Sequence, residues 1–172
     1  MPAFRQDLWE DLSEEMVRLD WKNMGGYQRR PEDEYKSVRR EYYSRIDREG
    51  FFWFGQDPRM KFLGFVHTRR HAVPGGGIEV VALQSVGEQL RTVMVDTAYW
   101  IAKDAETCAI IGGHVHKTNR AAIALYSKVG FTFHASNDPD RLIIRTGMGS
   151  FVRNPVISRL LVEAQQRSKR AG

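Results

Sequence analysis

Glu79, His114, His116 and Tyr126 are the candidates in this sequence for moving a proton between reactants. Glu79 is the sole acid in the apolar run from Ile78 to Val86. A carboxylate or an imidazole can take a proton from an amine, directly or through one water. His114 and His116 stand two apart in a second apolar run, so they share one side of a strand and are alternative bases. As a metal site the His-x-His pair lacks a third ligand at a fixed spacing, so no metal is expected. Tyr126 carries a phenol, which near its ordinary pKa of about 10 can give a proton to a leaving group and regain it later. His67 and His71 frame Arg69-Arg70 beside a glycine-rich turn, where they stand as loop charges or line an acceptor.

The elements that must position these groups are legible around Tyr126. Asn119 is a good N-cap, because its side chain can accept from a free N–H of the first helical turn. Ala122, Leu125, Tyr126 and Val129 then recur at three- and four-residue steps, the mark of one apolar helix face. Gly130 sits where a helix commonly ends in a left-handed residue. Phe131-Thr132-Phe133-His134 follows with strand-like alternation.

The rest of the chain predicts a mixed fold. Phe4, Leu8, Leu12, Met16 and Leu19 form a helical stripe that Gly25-Gly26 breaks. Pro31 suits the first turn of a second helix, with Tyr35, Val38, Tyr42 and Ile46 as its inner face, ending at Gly50. Two amphipathic helices need a sheet to lie on. Phe51–Phe54, Lys61–His67 and Ile78–Val86 supply strands of an antiparallel meander, separated by Asp57-Pro58-Arg59 and Pro74-Gly75-Gly76-Gly77. Thr92–Ala105 is helical, with Val95, Ala98 and Ile101 inward. Cys108–Val115 lacks alternation, which predicts a strand covered on both faces. An Asn137-Asp138-Pro139-Asp140 turn leads to a strand at Leu142–Thr146. Asn154-Pro155 opens a last helix, and the basic run Arg167-Ser168-Lys169-Arg170 is expected to fray.

Residues Asn119, Ala122, Leu125, Tyr126, Lys128, Gly130 and Phe131 match an N-x-x-A-x-x-L-Y-x-K-x-G-F pattern, and the chain thereby resembles the GCN5-related N-acetyltransferase (GNAT) superfamily. The resemblance is strong over Ile78 to Thr146. It implies an α/β (α+β) fold with a mixed, mostly antiparallel central sheet of six or seven strands flanked by helices. It also implies one domain over 1–172, with 155–172 an added C-terminal helix and basic tail. In such a fold acetyl-CoA lies where two parallel strands part. The resemblance places Val81, Ala82 and Leu83 along the pantetheine arm, with Asn119, Ala122 and Tyr126 beside it. Tyr126 then protonates the departing thiolate, and Glu79 occupies a position where some members carry a general base.

The pyrophosphate loop departs from the family pattern Q/R-x-x-G-x-G/A, in which glycines let backbone N–H groups close on phosphate. One register, Gln84 to Gln89, keeps a single glycine, Gly87. The other, Gln89 to Met94, keeps Gln89 and a helpful Arg91 but puts Thr92 and Met94 at the glycine positions. Its distance from Glu79 and Asn119 favours the second, with Gln89, Arg91 and Thr92 as the cofactor contacts. Such a loop wraps a pyrophosphate less closely.

Composition limits the function classes. The chain has 172 residues, 42% hydrophobic and 27% charged, ordinary globular values with length for a core. Its net charge of +5 favours anionic partners, such as a nucleotide cofactor or nucleic acid. One cysteine, Cys108, allows no internal disulfide and fits a reducing cytoplasm, and its apolar setting predicts a small core residue. The first residues do not read as a signal peptide, and no apolar run approaches membrane-spanning length. The expected activity is transfer of an acetyl group from acetyl-CoA to a small-molecule or protein amine, by a monomer or homodimer. The alternatives are a protein of this fold with another donor, one that modifies nucleic acid, and a binding protein that has lost acetyl-CoA.

Overall fold

A computed structural model of the chain describes residues 9–44, 50–56, 62–85, 94–95, 98–99, 102 and 108–171. Hydrogen bonding joins six strands among them: β1 (Gly50–Gln56), β2 (Phe62–His71), β3 (Gly77–Ser85), β4 (Ile110–His116), β5 (Thr132–Ala135) and β6 (Arg141–Gly147). Their order across the sheet is β1-β2-β3-β4-β6-β5, and helices precede and follow them, a mixed α/β architecture as expected. The chain sorts into two compact units, one of Thr68–Val81 with Met94–Gly172, the other of Pro2–His67 with Ala82–Val93. Among the described residues, no helix is long and apolar enough to cross a membrane.

The second unit carries α1 (Trp9–Met24) and α2 (Glu32–Ser44). Met16, Val17 and Leu19 are buried, and a short 3-10 turn at Gly25–Tyr27 ends α1 where the glycine pair predicts a break. Phe4, Leu8 and Ile46, with the side chains of Leu12 and Tyr42, lie outside the described residues. Val38 corrects the expected stripe of α2, being 42% exposed. The cause is a buried carboxylate, which turns the helix so that Tyr35 and Arg39 face it instead. Asp20 is 1% exposed, accepts hydrogen bonds from the Tyr35 hydroxyl at 3.1 Å and Gln84 Nε2 at 3.1 Å, and forms an ion pair with Arg39 Nε at 3.0 Å. Gln84 is buried at the end of β3 and accepts from Asn23 Nδ2 at 2.7 Å. Burial, then the neighbouring Asp20 charge, pushes the Tyr35 phenol up to about 12.

The first unit is built on β4, which is bonded on both sides. It pairs antiparallel with β6 from Ile110↔Gly147 to His116↔Arg141, and parallel with β3 from Gly77↔Ile110 to Val80↔Gly113. The glycine at 113 permits that parallel contact: a Cβ there would stand 2.8 Å from the Val80 carbonyl oxygen. Ile111, Val115, Ile78, Val80 and Ile144 are buried on one face of these strands, in a core that includes Val95, Ala98, Cys108, Phe131, Phe151, Ile157 and Leu160. The opposite face is the open one: Ile110, Gly112 and His116 are partly exposed and His114 is exposed. Coverage on both faces, expected for 108–115, is therefore corrected. Burial alternates along β4, and its run of apolar character comes from Ile110 and Gly112 on the open side.

The helix α3 (Arg120–Lys128) follows β4 as its sequence predicts. Asn119 Oδ1 accepts from the Ala122 N–H at 3.1 Å, closing the first turn. At the other end Gly130 takes φ of +90°, and the Phe131 N–H reaches back to the Tyr126 carbonyl at 2.9 Å. Two features differ from expectation. A one-and-a-half-turn helix, α4 (Met148–Arg153), stands between β6 and the last helix, burying Met148 and Phe151 three residues apart. The final helix α5 (Pro155–Ala171) is capped by Asn154, which accepts from Val156 at 2.9 Å, and it continues through the basic run expected to fray. Buried Ile157, Leu160 and Ala164 give it an anchored stripe.

Candidate active site

On the open face, β2, β3, β4 and β6 line a pocket of about 430 Å3. Glu79 is its centre. The carboxylate Oε2 accepts from Arg69 Nη2 at 2.7 Å, Arg69 Nε at 3.2 Å and His71 Nε2 at 2.6 Å. His114 Nδ1 stands 3.5 Å from the other oxygen, Oε1. Partial burial raises the carboxyl pKa, but the hydrogen bonds from Arg69 and His71 and their charges outweigh it, so the net shift is downward. Glu79 is therefore a settled anion with its charge already answered.

The strand pattern explains the gathering. Two-residue alternation puts Arg69 and His71 on one side of β2. The register Glu79↔Gly112 sets the carboxylate beside β4, where His114 is the next residue on the same side. The expected strand Lys61–His67 ends too early; β2 runs to His71 and makes strand residues of Arg69, Arg70 and His71. His67, read as lining an acceptor or a loop, is 2% exposed instead. Extending the strand four residues would have put Arg69 and His71 on one face, but only the pairing with β3 makes them neighbours of Glu79. His116 does not join the cluster: its Nδ1 bonds the Thr118 hydroxyl at 2.8 Å. Among the described residues no three His, Cys, Asp or Glu side chains gather as a metal would need.

The parallel strands part soon after this point. Pairing of β3 with β4 covers four residue pairs and stops at Val80↔Gly113, while β4 keeps its full antiparallel register with β6. Val81 thus has no counterpart on β4 among the described residues. Val81, Ala82 and Leu83 all lie on β3, with Val81 and Leu83 partly exposed. Gln89, Arg91 and Thr92 lie outside the described residues, and so does every position of both phosphate-loop registers between Ser85 and Met94. Asn119 and Ala122 open α3, and Tyr126 follows one turn later. The Tyr126 ring meets the Phe131 ring edge-on, with centroids 5.3 Å apart. The residue keeps some exposed surface, yet burial around the hydroxyl pushes the phenol up to about 12.

No family model matches the chain, and no curated protein matches it in sequence. Solved structures do match. The PaiA N-acetyltransferase of Thermoplasma acidophilum, in complex with coenzyme A, superposes with a TM-score of 0.61 at 17% identity, over 82% of this chain and 93% of that one. This chain has the GNAT fold. Aminoglycoside 6'-acetyltransferase type Ii shares that fold at a TM-score of 0.63 and 13% identity, over 85% of this chain and 94% of that chain. GCN5 from Tetrahymena shares it at 0.55 and 13% identity, over 81% and 88%. Two of these neighbours, the PaiA enzyme and the aminoglycoside enzyme, are acetyltransferases by description.

Proposed function

We propose that this chain is an N-acetyltransferase that passes an acetyl group from acetyl-CoA to an amine by direct attack. The observation that carries the reading is the short parallel register: β3 and β4 separate after Val80↔Gly113, leaving backbone groups of β3 from Val81 onward unpaired toward β4. Such an edge offers hydrogen-bond partners to the amides of an extended arm, as another strand would. Val81, Ala82 and Leu83 would hold the donor there, with Asn119, Ala122 and Tyr126, and with Gln89, Arg91 and Thr92 from the loop that follows. When bound, acetyl-CoA supplies an activated carbonyl and a thiolate leaving group.

The chain's own groups supply the proton handling. Glu79 accepts from His71 Nε2, which fixes the tautomer and leaves His71 Nδ1 as the basic nitrogen. His114 faces the same carboxylate. An imidazole steadied by a carboxylate is a better base than Glu79 alone, whose lowered pKa weakens it as a proton acceptor. Tyr126 stays protonated throughout the neutral range and donates a hydrogen bond to charge that develops on sulfur.

Two measurements test this. Acetyl-CoA in large excess over its Kd raises the melting temperature, because it binds the folded chain alone; no shift at millimolar concentrations removes the reading. Tyr126→Phe lowers the rate of coenzyme A release in the presence of an amine by roughly 100-fold or more, with the Tm held nearly constant. An unchanged rate assigns Tyr126 to packing.

A further inference from the structure

The pocket around Glu79 has a charge pattern of its own. The registers Glu79↔Gly112 and Gly112↔Arg145 place these three residues in one row across β3, β4 and β6, on the open face. Neighbouring strands lie about 4.8 Å apart, so the backbones of Glu79 and Arg145 stand roughly 10 Å from one another. Gly112 between them contributes no side chain, and the floor of the pocket is bare there. Glu79 is matched by Arg69, whereas Arg145 is exposed and makes no side-chain ion pair among the described residues. Counting Arg69 and Arg145 against Glu79, the pocket carries one surplus positive charge before either histidine is protonated. Its remaining walls include Val73, Ile110 and Ile143.

We infer that the acceptor is a primary amine bearing a carboxylate, with the carboxylate on Arg145 and the amine at the Glu79–His71–His114 end. This rests on the acyltransfer reading and narrows its substrate. A guanidinium pairs with a carboxylate through two parallel N–H donors, and one surplus cation matches a single negative charge. The other end suits a neutral, nucleophilic amine. A carboxylate already covered by Arg69 and His71 gains little by holding an ammonium, and the two imidazoles can take its proton. The apolar walls accommodate a short carbon chain between the two ends. A diamine fits badly, since its second cation would face Arg145.

The test uses three probes of equal carbon length: γ-aminobutyrate, butylamine and putrescine. Binding to the whole chain is measured by calorimetry with and without coenzyme A, and acetyl transfer to each is measured separately. γ-Aminobutyrate is expected to bind at least about tenfold more tightly than butylamine, with putrescine weakest. Arg145→Gln collapses that preference, and Arg145→Lys restores part of it, a graded response that general misfolding would not give. Equal or stronger binding of butylamine or putrescine, no binding of any probe, or a preference unmoved by Arg145→Gln overturns the inference. The two readings fail separately. Transfer to all three amines without preference leaves the acyltransferase and removes the carboxylate site; binding of γ-aminobutyrate without transfer does the reverse.

Discussion

Asp20 and Glu79 are both carboxylates met by an arginine and by neutral donors, yet they serve opposite ends. Asp20 is sealed, and Tyr35, Gln84 and Arg39 surround it. Glu79 keeps 15% of its side chain exposed, and its partners Arg69, His71 and His114 each keep more than two fifths. In the first cluster every group is committed to holding α1, α2 and the end of β3. In the second, the carboxylate is committed and its histidines remain in reach of solvent. Burial of the partners, more than the partner types, separates the sealed ion cluster from the accessible one.

Removing each carboxylate should therefore give opposite signatures. Asp20→Ala strands Arg39, Tyr35 and Gln84 without their acceptor and should cost about 3–5 kcal/mol in denaturant unfolding. A loss under about 1 kcal/mol would place Asp20 in the same class as a surface pair. Glu79→Gln should cost about 1 kcal/mol or less in stability, because its partners are well solvated. The same change should slow acetyl transfer roughly 100-fold, chiefly in kcat, by freeing the two imidazoles. Equal effects of both substitutions on Tm would erase the distinction.

Titration offers finer contrasts. The Glu79 pKa is depressed in the fold, so its contribution is present above the ordinary carboxylate value of 4.5 and is lost as pH falls through the folded value. The Tm gap between wild type and Glu79→Gln should close over that acid range; a gap constant with pH would mean the carboxylate is not held as an anion. The smallest effect lies at the alkaline end. Tyr35 and Tyr126 keep their protons to about 12, against 10.0 for a free phenol. Their contribution is intact below 10 and declines as pH rises from there toward 12, which phenolate absorbance and Tm recorded together would follow.

What the sequence told in advance follows from what each residue depends on. The Asn119 cap, the Gly130 exit and the break at Gly25-Gly26 depend on neighbours a few residues away, and each was legible. Glu79 stood out as the one acid in an apolar run, and Tyr126 as a member of the GNAT-like motif. Arg69 and Arg145 did not, because an arginine at a strand end resembles any solvated charge until the register brings it beside a partner on another strand. Val38 misled for the same reason: the rotation of α2 answers to Asp20, fifteen positions before Tyr35. The short helix α4 escaped because six residues carry too little periodicity to register.

The glycine at 113 has a consequence for how this chain can vary. A hydrogen where other residues hold a methyl lets the Val80 carbonyl sit close, and it is the last rung before the two parallel strands fork. Any larger group there would unzip that rung and shift the crotch of the fork toward Glu79. The aperture would then lengthen at the expense of the platform beneath the carboxylate, so opening and platform are set together by one missing carbon.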